Sequence, residues 1–99
     1  MIIVLTPTDP PRLADLDRFD RLHAEVHGDV RTARLGVLCR TGDDEHVWLD
    51  IAAARREGAE SADDPGFADG FDEMITFARN SGWVDEAGTH VRAHVEPAG

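Results

Sequence analysis

Two short stretches hold most of the residues able to do chemistry. In THVRAHVE, residues 89–96, Val91, Ala93 and Val95 alternate with His90, Arg92, His94 and Glu96. In EHVWLDI, residues 45–51, Val47, Leu49 and Ile51 alternate with His46, Trp48 and Asp50. A strand with this period buries one face and presents the other, so each stretch offers imidazole, charged and aromatic groups on one side. Imidazole titrates closest to neutrality and carboxylates can orient it, the combination used for general acid–base work. His46 with Asp50, or His90 with Glu96, beside Trp48 would suit proton transfer on a small cyclic or aromatic substrate. No nucleophile is indicated, and no catalytic residue is assigned. The same groups suit binding, and the candidate ligand-binding residues are His46, Trp48, Asp50, His90, Arg92 and His94.

Five histidines raise the question of a metal. His23 and His27 in HAEVH would stand about 5–6 Å apart on a helix and share an ion, but about 13 Å apart on a strand. The acid of an HExxH motif is missing, since Glu25 occupies another position. His90 and His94 have the strand spacing, so a metal site would have to combine strands, for example His46 with one of them. His23 also falls in an apolar stripe, where a hydrogen-bonded core histidine is the commoner role. No tightly bound metal is expected. TGDDEH lacks the D-x-D-x-D-G spacing of a calcium loop and reads as a hairpin turn. GxGxxG, GxxxxGK[ST] and GxSxG are absent, so no cofactor is expected.

Ninety-nine residues, 41% hydrophobic and 30% charged, suit one globular α+β domain over residues 1–99. The formal net charge of -10 repels phosphates and anionic headgroups, which argues against nucleic-acid and membrane partners and leaves a basic protein as a possible one. Cys39 is the only cysteine and lies in the apolar stretch LGVLCR, so an internal disulfide is impossible and a buried thiol is expected. MIIVLTP lacks a basic leader and cleavage pattern, and no apolar run approaches the roughly 18 residues of a membrane span. A cytoplasmic location follows as the simplest expectation.

The elements that would position these residues follow from periodicity. IIVLT, residues 2–6, is an uninterrupted apolar run of strand length. Residues 9–28 open with Asp9-Pro10 and carry Leu16, Phe19, Leu22, His23 and Val26 at helical spacing, which favours one long helix. Residues 21–27 also alternate, so a helix to about residue 20 followed by a strand competes with it. ARLGVLCR (33–40) and EHVWLDI flank TGDD as a hairpin. AAARREGA reads as a short helix ended by Gly58. Phe67, Phe71, Met74, Ile75 and Ala78 form the stripe of a second long helix closed at Asn80-Ser81-Gly82. THVRAHVE is the last strand. The order matches a ferredoxin-like βαββαβ plan, a four-stranded antiparallel sheet with both helices on one face.

That plan leaves the opposite face open, with Arg34, Gly36, Leu38 and Arg40 joining the six candidates and an aliphatic first strand between them. An apolar stripe bordered by polar groups suits a ligand pocket or a self-association surface. The expectation is a small acidic binding or accessory module, a homodimer of dimeric α/β-barrel type or a small-molecule binder. Two alternatives stay open. One is a cofactor-independent cyclase, isomerase or monooxygenase, favoured by a deep dry pocket at His46, Trp48 and His90 or His94. The other is an acidic inhibitor or immunity-type protein, favoured by a flat acidic face at Asp63, Asp64, Asp69 and Asp72.

Overall fold

A computed structural model of the chain describes residues 1–98. Six strands and two helices follow one another as β1 (Ile2–Leu5), β2 (Arg12–Ala14), β3 (His23–Val26), β4 (Cys39–Thr41), β5 (His46–Asp50), α1 (Ile51–Ser61), α2 (Phe67–Asn80) and β6 (His90–Pro97). They form one mixed sheet in the order β2-β1-β3-β6-β5-β4. β1, β3 and β6 are parallel neighbours, while β2 on β1 and β4, β5 and β6 among themselves run antiparallel. No helix among the described residues is long and apolar enough to cross a membrane.

This sheet replaces the ferredoxin-like expectation, and with it the dimeric α/β barrel built on that plan. The difference originates in residues 9–28. Pro10 precedes Pro11 and is pushed out of the α region, and Arg12–Ala14 instead pairs antiparallel with β1. Asp15, at φ 50°, turns the chain, and His23–Val26 inserts between β1 and β6. Ala24 and Val26 are buried there, and the backbone groups of both neighbours find partners that a helix could not supply. The competing strand over 21–27 is therefore the one that forms. The apolar series upstream becomes a loop packed on the helices, where the Phe19 ring lies 5.7 Å from the Phe67 ring, tilted by 50°, and covers Gly70.

The hairpin forms, but shorter than expected. Gly36 at φ 57° breaks the preceding stretch, so residues 33–38 are not a strand and Leu38 turns into the core. α1 runs through Gly58 rather than ending there, and Asp50 caps its start by accepting from the Ala53 amide at 3.0 Å. Gly58 is where Phe67 packs against the helix: a Cβ would lie 2.1 Å from the Phe67 ring. α2 buries the expected stripe of Phe67, Phe71, Met74, Ile75 and Ala78. Those residues meet Ile3, Leu5, Ala24, Val47, Leu49, Val91 and Ala93 in one core on one side of the sheet.

Candidate functional site

The opposite side of the sheet is set by register, since directly paired residues project to the same face. His46 pairs with His94, which pairs with His23, across β5, β6 and β3. Arg40 pairs with Trp48, which pairs with Arg92, across β4, β5 and β6. Two residues further along, Asp50 pairs with His90. Successive rows on one face lie about 6.5–7 Å apart. The structure thus brings His46, Trp48, Asp50, Arg92 and His94 onto neighbouring strands with the parity expected from sequence. Of the residues expected from the second strand only Arg40 takes part; Arg34 is in a loop, donating to the Thr8 carbonyl.

His90 is different. It is 7% exposed, with Nδ1 2.7 Å from Thr89 Oγ1 and 3.6 Å from Asp85, and Nε2 3.9 Å from Asp50. Asp85 also accepts from the Thr89 and His90 amides. The hydrogen bond from the His90 amide first, and that from the Thr89 amide next, outweigh the opposing effect of burial and hold the Asp85 carboxyl below its ordinary value. His90 therefore joins the turn 85–89 to the start of α1 and has little surface to offer a ligand. Its carboxylate neighbours are not the Glu96 suggested by sequence: Glu96 lies 3.3 Å from His23 instead.

His46 likewise takes Asp43 rather than Asp50, with Nδ1 at 3.1 Å from Oδ1. Asp43 belongs to the hairpin turn and also accepts from the Glu45 amide at 2.8 Å. That amide first, and the His46 ring second, hold its carboxyl below the usual range. The turn needs Gly42, since a Cβ there would fall 2.3 Å from the His46 carbonyl oxygen. His23 and His27 lie on or beside a strand and contact Glu96 and Glu25 respectively, so the helical chelating pair does not exist.

The surface around these rows is shallow. Leu22, His46, Trp83, Arg92 and His94 line a recess of about 230 Å³. The sequence pattern does not single out Trp83; its carbonyl accepts from the Arg92 amide at 2.8 Å, placing it alongside β6 where β3 has not yet begun. No periodic signal marks it, because it sits outside any strand. The aliphatic stripe on this side is less bare than expected: β1 lies between β2 and β3, and Val4 is already 6% exposed within a single chain. Among the described residues neither Arg40 nor Arg92 has a carboxylate within ion-pair distance, although Arg18, Arg31 and Arg55 each do. No protein-family model, curated protein or solved structure matches the chain.

Proposed function

We propose that the chain is a small acidic cytoplasmic binding module whose open sheet face receives a small planar anion. One observation carries this: the in-register row Arg40–Trp48–Arg92 places an indole between two arginines without carboxylate partners, on a chain of net charge -10. Guanidinium groups that leave 20 acidic side chains unused are available to an incoming carboxylate or phosphate. Trp48 supplies a flat apolar surface between them, and His46 and His94 give hydrogen-bonding groups one row away. The shallow recess lacks the deep dry enclosure that would favour catalysis. Because Val4 is covered within the chain, the stripe that suggested a homodimer gives little drive for a second subunit.

Calorimetry with benzoate and phthalate tests this, with benzamidine as the cationic control of similar shape. Both anions should bind and benzamidine should not. Arg92→Ala should weaken phthalate about tenfold to a hundredfold, the equivalent of about 1.5–3 kcal/mol for a charged hydrogen bond. Equal binding of benzamidine, or an unchanged affinity in Arg92→Ala, contradicts the proposal.

A second reading has its own observation. Asp15, Asp17, Asp63 and Asp64 surround a recess of about 520 Å³ between the β2 turn and the α1–α2 connection. That concentration of carboxylates suits a basic protein partner, as an inhibitor or immunity-type protein would need. Asp72 does not contribute freely, being held by Arg55 at 2.9 Å. Binding of a lysine-rich peptide that is lost on Asp63→Asn and Asp64→Asn together would favour this reading over the first.

A further inference from the structure

We propose that His46 and His94 form a two-imidazole chelate for an exchangeable transition-metal ion of the zinc, copper and nickel class. The two residues are direct cross-strand partners on β5 and β6, and their rings lie 5.7 Å apart between centroids at an interplanar angle of 72°. Zinc–imidazole bonds are about 2.0–2.1 Å, so a ring centroid stands about 3.2 Å from the metal, and two rings on one tetrahedral ion are about 5.2 Å apart. The observed centroid spacing exceeds that value by about 0.5 Å, a small adjustment in distance. Stacked or widely separated rings would need a much larger one.

Asp43 holds His46 Nδ1 at 3.1 Å, leaving Nε2 as the free donor of that ring. A carboxylate behind a coordinating imidazole fixes its tautomer and orientation and raises its basicity. Both rings border the 230 Å³ recess, which gives an ion and its remaining ligands room. Among the described residues no group of three or more His, Cys, Asp or Glu side chains could hold one ion. His23, the next residue in the row, has Nε2 directed to Glu96 at 3.3 Å. The ion would therefore keep about two positions for water or an anion and exchange readily, unlike the closed four-ligand sites of structural zinc.

This inference stands on the histidine pair and does not depend on the arginine row. Its test is titration of the metal-free protein with Zn²⁺ by calorimetry, and with Cu²⁺ by tryptophan fluorescence, in the absence of any organic ligand. One equivalent of each metal should bind with micromolar affinity. His46→Ala and His94→Ala should each weaken binding at least tenfold, and Asp43→Asn about tenfold. His23→Ala, His27→Ala and Arg40→Ala should stay within twofold of the parent chain. Thermal melts of each variant establish that it is folded. No saturable binding at Zn²⁺ concentrations up to about 1 mM, where a dissociation constant corresponds to about −4.1 kcal/mol, overturns the proposal. Loss of binding at His23 or His27 with none at His46 or His94 overturns it equally.

Discussion

Val91 and Arg92 are neighbours on β6 that face opposite ways, and their replacement by alanine should have opposite consequences. Val91 is 0% exposed, pairs with Leu49 on one side and bridges Val84 on the other. Val91→Ala removes two methyl groups from the core, about 1.6 kcal/mol at about 0.8 kcal/mol for each buried carbon. The space left behind is flanked by strand backbone and cannot close fully, which raises the loss to about 2–3 kcal/mol. For a domain of this size each kcal/mol lowers Tm by about 4–8 °C, so a fall on the order of 10–20 °C is expected. Arg92 is exposed and has no ion-pair partner among the described residues, so Arg92→Ala should change stability by no more than about 0.5 kcal/mol. Urea unfolding followed by circular dichroism measures both variants, and the phthalate titration reads the complementary property. If Arg92→Ala is the destabilised variant and Val91→Ala the one that loses affinity, the strand faces the other way and the site has been placed on the wrong side of the sheet.

Gly58→Ala should lower stability by about 1–2 kcal/mol, because the new methyl meets the Phe67 ring, which is 2% exposed and cannot retreat, and this outweighs the gain in helix propensity. Gly70→Ala meets Phe19 at 2.5 Å, but that ring lies on a partly exposed loop that can yield, so a change within about 1 kcal/mol is expected; equal losses at both glycines would contradict this distinction. Cys39 is buried, and burial followed by the nearby Glu57 pushes its thiol up to about 12. At pH 8 only about one molecule in ten thousand would carry the reactive thiolate, so iodoacetamide should label Cys39 in urea and leave the folded chain unlabelled. Rapid labelling without denaturant would show that the thiol is not enclosed as described.

The parts of the fold legible in the sequence are those where one residue's environment repeats at a fixed period. β5 and β6 each alternate between a packed core and an open face, and α2 carries a single apolar stripe, so parity alone orients Val47, Trp48, Val91, Arg92 and Phe71. Residues 9–28 were ambiguous because Leu22 and Val26 satisfy a helical spacing and a strand spacing together. The strand won through backbone groups on β1 and β6 that no local pattern records. Strand order was equally hidden, since β3 and β6 are remote in sequence and their parallel pairing is a property of the whole sheet. At the site, the row Arg40–Trp48–Arg92 depends on register across three strands and appears only when they are assembled. His90 has the same parity as Arg92 but lies at the end of the strand, where the turn 85–89 closes over it. The pattern TGDDEH marks Asp43 as a turn residue; its second role depends on the three-dimensional approach of His46.

The binding face is tested most directly by mapping amide chemical-shift changes during titration of isotope-labelled protein with phthalate. The account predicts saturable shifts concentrated at Arg40, Trp48 and Arg92, extending to His46 and His94, with the indole N–H of Trp48 among the largest. Shifts confined to the recess at Asp15, Asp17, Asp63 and Asp64, or no saturable shift anywhere, would contradict the claim that the open face of the sheet is where this protein binds its ligand.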